Sequence, residues 1–216
     1  MKIRGYTKLI ILLMLACNTG NKNVPVAGKD TNPQKATEKH SLAIIPFKGV
    51  DLRLVTDIQT GLRKQLDVEC TTLDEVLLPD FAFYKLRQRY IADSLLVFLC
   101  SINNKRFEKV IGVTVKDIAT RKGDIENWGI LGLGSCPGES CVVSAFRAGR
   151  NKVGYKIFLK RMTTLSLHEL GHTYGLLHCP VDTCLMKDAA GKMNLDDADV
   201  YCSGCRSQLR SKGIVK

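Results

Sequence analysis

In the stretch HELGHTYGLLHCPVDTCLM, His168 to Met186, three of the chain's four histidines fall within eleven residues, joined by two cysteines and a methionine. Imidazole and thiolate are the usual nitrogen and sulfur ligands of zinc, so the spacing decides whether these side chains can meet at one ion. Residues four apart on a helix share a face, which puts His168 and His172 one turn and about 6 Å of rise apart. Both rings can then reach a single ion at about 2.0 Å. Glu169, next to the first ligand, is not needed for coordination and is placed to take a proton from the attacking water. This is the logic of H-E-x-x-H.

A pair of surface or core histidines would explain H-x-x-x-H alone, but His178 adds a third ring at a spacing that a helix cannot use. Six positions beyond His172, a continuing helix would rotate it by roughly 240° and carry it about 9 Å along the axis. The chain must break in between, and Gly175 stands there, able to take the left-handed conformation that ends a helix. Three neutral histidines leave open the fourth position that a catalytic zinc requires, whereas a structural zinc is more often closed by a fourth protein ligand.

Cys179, Cys184, Cys202 and Cys205 form two pairs with short internal gaps. They suit a closed tetrahedral zinc site that would support folding of the C-terminal region, and two disulfides are the alternative in an exported chain. Cys136 and Cys141 could close a small disulfide loop, and Cys70 and Cys100 are candidates for buried apolar positions.

H-E-x-x-H-x-x-G-x-x-H followed by a downstream methionine is similar to the metzincin clan of zinc peptidases. The order Cys179, Cys184, Met186, Cys202, Cys205 narrows this, because it resembles the archaemetzincins over a motif running from His168 to Cys205. The resemblance implies a peptidase with two zinc ions, one catalytic and one structural, the latter on the four cysteines. It also implies a methionine turn beneath the catalytic metal, with Met186 as its residue. The implied fold is α/β (α+β) metzincin-like: a twisted mixed sheet with two backing helices, an active-site helix and a small zinc-stabilised C-terminal subdomain. The implied substrate is a peptide or protein lying extended along an edge strand. Endopeptidase and aminopeptidase action fit the motif equally, and the alternative function is a zinc-binding module whose peptidase site is latent or vestigial.

The elements that must position these residues follow from periodicity. LAIIPF, Leu42 to Phe47, is a buried strand whose Pro46 implies an edge or a bulge at its end. Asp51 to Leu66 carries apolar residues at Leu52, Val55, Ile58 and Leu62, a helical stripe with Asp51 as N-cap. A second helix is predicted over Phe83 to Ile102, burying Leu86, Tyr90, Leu95, Val97 and Phe98. KVIGVTV, WGILGLG and CVVSAF are strand candidates, the last two bounded by glycines and by the turn CPGESC. The glycines of WGILGLG suit a bulge or turn, or an edge strand approached closely by an extended peptide. A third helix runs through Arg161 to Tyr174.

The chain has 216 residues, 45% hydrophobic and 25% charged, enough for one sizeable core with a small appended subdomain. The formal charge of +11 is scattered in short clusters rather than gathered into a stripe, which argues against a nucleic-acid partner. At the N-terminus Lys2, Arg4 and Lys8 precede a short apolar run, Leu9 to Ala16, as in a signal peptide and too short to span a bilayer. Leu15, Ala16 and Cys17 resemble a lipobox, so Cys17 is the expected lipidation site and residues 1–16 the expected leader. Residues 17–40 then read as a tether with a reach on the order of 25 Å. Residues 41–216 form the catalytic part, divided at 175/176 into the subdomain holding the active-site helix and the cysteine-zinc subdomain. These features imply a bacterial membrane-anchored lipoprotein, periplasmic or on the cell surface, and a monomer; a secreted or cytoplasmic enzyme is the alternative.

Overall fold

The computed structural model describes residues 39–188 and 195–216. The expected leader, Cys17 and nearly all of the tether lie outside the described residues. In chain order the elements are β1 (Ser41–Pro46), α1 (Leu52–Gln65), β2 (Glu69–Thr72), β3 (Phe83–Tyr84), β4 (Arg89–Ile91) and α2 (Ala92–Asn103). They continue with β5 (Lys109–Thr114), β6 (Ile118–Lys122), β7 (Ile125–Ile130), β8 (Gly132–Gly134) and β9 (Ser140–Ser144). The helices α3 (Ala145–Ala148), α4 (Tyr155–Thr173) and α5 (Ser203–Ser211) complete the order.

The main sheet runs β2-β1-β5-β9-β8. Its first four strands are parallel, and β8 alone is antiparallel, paired to β9 at the edge. Alternation along the interior strands sorts their side chains between two faces. Leu42, Ile44, Ile111, Val113 and Val143 pack with Val55, Ile58 and Leu62 of α1 and Met162, Leu167 and Leu170 of α4. Ala43, Ile45, Val110 and Val142 pack with Leu95 and Leu99 of α2 on the other face. Burial on both faces explains why these strands read as unbroken apolar runs. The twisted mixed sheet and its backing helices are thus present, with the two helices divided between the faces. Gly112 lets α2 close on the sheet, since a Cβ there would lie 2.8 Å from Leu99.

Asp51 caps α1 as expected, its Oδ1 accepting the Arg53 N–H at 2.8 Å. Leu52, however, points outward, and Leu54 takes its place in the buried stripe. Pro46, expected at an edge or a bulge, is the last residue of an interior strand. Pairing with β2 stops at Ile44 and Thr72, so the absent N–H removes no ladder bond.

A second sheet, β3-β4-β6-β7, corrects the expected helix over Phe83 to Ile102. Only Ala92–Asn103 is α-helical, with a single 3-10 turn at Lys85–Arg87; Phe83 pairs with Tyr90, and β4 runs parallel to β6. Leu86 is 83% and Val97 68% exposed, so the apparent helical stripe mixed residues from a 3-10 turn, a strand and a helix. Gln88, left-handed at φ 52°, turns the chain between β3 and β4. The C-terminal residues join the α1/α4 core through Leu185, Tyr201, Leu209 and Ile214 rather than packing only around the cysteines.

Candidate active site

The two sites of the motif are both assembled, and helix α4 is their base. Its axis carries His168 and His172 on one side and Met162, Leu167 and Leu170 into the core. The helix ends where Gly175 takes φ +89°. There the Gly175 N–H donates to His172 O at 2.8 Å and the Leu176 N–H to Gly171 O at 2.9 Å, the paired bonds of a Schellman ending. The chain reverses and brings His178 back, with ring centroids 5.4 Å from His168 and 4.9 Å from His172.

The rings are oriented by backbone carbonyls. His168 Nδ1 donates to Leu185 O at 2.8 Å and His172 Nδ1 to Leu176 O at 2.7 Å. That tautomer leaves two Nε2 lone pairs facing each other at 3.2 Å, an arrangement that is repulsive unless a cation lies between them. One ligand atom from each of the three histidines lies within 4.8 Å of the others. Tetrahedral zinc with nitrogen ligands at about 2.05 Å requires separations of about 3.4 Å, so the set can hold the ion with small adjustment. Burial holds the His168 ring down to about pKa 4, which keeps it in the neutral, ligating form. His178 Nδ1 lies 3.9 Å from Asp188, a carboxylate positioned to orient this more exposed ring.

Glu169 is buried, and desolvation pushes its carboxyl up to about pKa 8, opposed by a hydrogen bond from the Gly134 backbone. It sits beneath strand β8. A Cβ on Gly132 would lie 2.7 Å from Glu169 Oε1, and one on Gly134 would lie 2.4 Å from the Glu169 carbonyl oxygen. Gly132 and Gly134 of WGILGLG therefore serve the approach of the edge strand to the active-site helix, a role that spacing alone did not reveal. On the other side of α4, a Cβ on Gly171 would lie 2.5 Å from Met186 Sδ. Met186 is fully buried directly against the HELGH turn.

The four cysteines gather with the same economy. Cys179 Sγ lies 3.8 Å from Cys202 Sγ, and Cys184 Sγ lies 3.7 Å from Cys205 Sγ. Zinc–sulfur bonds of about 2.3 Å give a tetrahedral edge of about 3.8 Å. A disulfide would need about 2.05 Å. The four thiols are thus free and spaced as a zinc ion would hold them. Cys202 is the N-cap of α5, and hydrogen bonding from the Cys205 backbone draws its thiol down to about pKa 7, toward the thiolate that zinc binds. Cys136 and Cys141 also remain unbonded: Cys141 is buried within β9 while Cys136 is exposed. Cys70 is buried as expected, and Cys100 is partly buried with its thiol donating to Ser140 Oγ.

The sites share a backbone segment. Cys179 N–H donates to Met186 O at 2.8 Å, and Leu185, between Cys184 and Met186, supplies the carbonyl that orients His168. His168, Glu169 and His178 open on a cleft of about 560 Å³. Its opposite wall is the β6–β7 hairpin, held by a buried Asp117 that accepts hydrogen bonds from Arg147 (2.6 Å) and forms an ion pair with Arg89 (2.7 Å). Neither this clamp nor Asp188 was visible in the sequence, because each joins residues from separate elements.

The model of Peptidase family M54 matches residues 51–211. The chain is 31% identical to the archaemetzincin of Methanopyrus kandleri over 134 residues, 62% of this chain and 73% of the relative. It is 26% identical to that of Haloquadratum walsbyi over 174 residues, 77% of this chain and 97% of the relative. The crystal structure of the M. kandleri archaemetzincin superposes with a TM-score of 0.71 at 26% identity, covering 82% of this chain and 96% of that one. With a histidine cluster and a cysteine cluster that both fit zinc, the chain belongs to peptidase family M54, the archaemetzincins, and is a zinc metallopeptidase.

Proposed function

We propose that His168, His172 and His178 hold a catalytic zinc, that Cys179, Cys184, Cys202 and Cys205 hold a structural one, and that Glu169 moves the proton during peptide hydrolysis. Bound zinc supplies a Lewis acid that polarises the scissile carbonyl and acidifies water. Glu169 accepts the proton of the attacking water and returns it to the leaving amine. Its burial beside the three rings, at the mouth of the cleft, is the observation that carries this reading. A carboxyl raised toward neutrality matches both halves of that task. Strand β8 is an edge strand directly over Glu169, so an extended peptide can add to it as a further strand. Gly175 shapes the turn to the third ligand, and Met186 supports the helix from below.

Replacing Glu169 with Gln removes the proton acceptor while sparing every proposed ligand. Hydrolysis of a peptide library, followed by mass spectrometry, is expected to fall at least roughly 100-fold with zinc content unchanged. Activity equal to the parent would sink the role of Glu169.

The same proposal places the enzyme on a membrane through a lipid on Cys17, as a monomer acting on peptides or proteins outside the cytoplasm. The support is the charged, apolar and Leu-Ala-Cys sequence of residues 2–17. Cys17→Ser should move the protein from the membrane fraction to the soluble fraction. Unchanged fractionation and unchanged mass at Cys17 would reject the anchor.

A further inference from the structure

The cleft beside the histidines carries an uneven charge. Arg121, Lys122 and Arg150 line its outer end, together with Arg147. Arg147 is committed, since its Nε and Nη2 donate to the two Asp117 oxygens at 2.6 and 2.9 Å. Gly129 lies flat on that guanidinium, with room for nothing larger: a Cβ would be 1.8 Å from Nη2. The other three differ. Arg121 donates Nε to the Gly123 carbonyl at 3.1 Å, Lys122 Nζ stands 5.1 Å from the Trp128 ring centroid, and Arg150 stands 6.0 Å from that of Phe146. All three are exposed, and among the described residues none of them has a carboxylate within ion-pair distance.

Three like charges lining one cleft raise the local potential toward anions, and the partly enclosed walls of a cleft concentrate that field. The wall leads directly to the reacting end. Trp128, opposite Thr120 in the β6–β7 pair, is four residues before Gly132, the residue over Glu169. At about 3.3 Å per residue this is at most roughly 13 Å, the length of four residues of an extended peptide.

We propose, on the reading that this is a peptidase, that its substrates are acidic peptides whose Asp or Glu side chains, within about four residues of the scissile bond, meet Arg121, Lys122 and Arg150. Trp128, Ile130 and Leu131 line the cleft along the same stretch, so an apolar residue fits between the acidic positions and the cleaved bond. A nucleic-acid strand is disfavoured because Glu169 and Asp188 also line the cleft, and Lys187 beside them is paired with Asp182 at 2.9 Å.

Binding and cleavage test the two proposals separately. Zinc-loaded Glu169→Gln protein is titrated with fluorescent peptides of about ten residues, identical except for Glu or Lys pairs placed N-terminal or C-terminal to the centre. In one of the two series the Glu peptide should bind at least roughly tenfold more tightly than its Lys partner, and the gap should narrow as salt is raised. In the background of Arg121→Gln, Lys122→Gln and Arg150→Gln the gap should close, with zinc content confirming the fold. If that variant does not fold, the salt dependence in the otherwise native cleft decides. Equal affinity for Glu and Lys peptides, a gap insensitive to salt, or tighter binding of a single-stranded oligonucleotide of equal length would overturn the preference. Cleavage of both peptides alike by the parent protein would overturn it while sparing the hydrolytic reading. Binding of the acidic peptide without cleavage of any peptide would do the reverse.

Discussion

Individual residues at this site are constrained by atoms that belong to other elements. Gly134 shows this most sharply, because the atom 2.4 Å from its missing Cβ is a backbone oxygen of α4, which cannot rotate away as a side chain can. Gly134→Ala must therefore push β8 from the helix and pull its backbone bond off Glu169. The expected cost is about 2 kcal/mol in stability, with at least roughly a tenfold loss in kcat/KM at full zinc content. Denaturant melts and activity unchanged from the parent would remove the positioning role given to this glycine. The proposed ligands His168, His172 and His178, and Glu169 beside them, were legible in the sequence, since they lie on one short segment whose geometry follows from helix pitch and one glycine. Gly132, Gly134 and Gly171 were not, because their reason is a partner distant in sequence.

At the scale of elements, what the sequence made legible depends on whether an element's own periodicity determines it. Strands β1, β5 and β9 and helices α1 and α4 matched their patterns because one stripe or one apolar run governs each. Residues 83–91 did not, since β3 and β4 exist only through pairing with each other and with β6. That small sheet forms the outer wall of the cleft, and its attachment is the buried Asp117 with Arg89 and Arg147. Asp117→Ala would leave two guanidinium groups facing each other in a largely dry place. A loss of about 3 kcal/mol is expected in urea unfolding, together with faster proteolysis of the β6–β7 hairpin. A loss below about 1 kcal/mol would show that the wall is held by backbone pairing alone.

Over the whole molecule, the two proposed metal sites share one backbone segment. Leu185 and Met186 lie between Cys184 and the helix they pack against, and Cys179 directly follows His178. Removing either metal should therefore have unequal consequences. In metal analysis His172→Ala should keep about one zinc per chain, on the cysteines, with the melting temperature little changed. Cys184→Ser should lose its own zinc and weaken the histidine site as well, to well below one ion per chain, because His178 and the Leu185 carbonyl move together. Two zinc ions retained in His172→Ala, or a fully occupied histidine site in Cys184→Ser, would contradict the shared segment. By itself the sequence determined the chemistry: which residue types can bind zinc, where the helix must stop, and which family the order of cysteines resembles. Those properties depend on local spacing and on the fixed geometry of a helix. Only the tertiary structure decided which edge strand covers Glu169, how the sheet's two faces divide the helices, and which charges face the cleft. Each of these is a contact between distant segments, set by packing and pairing that no local pattern encodes.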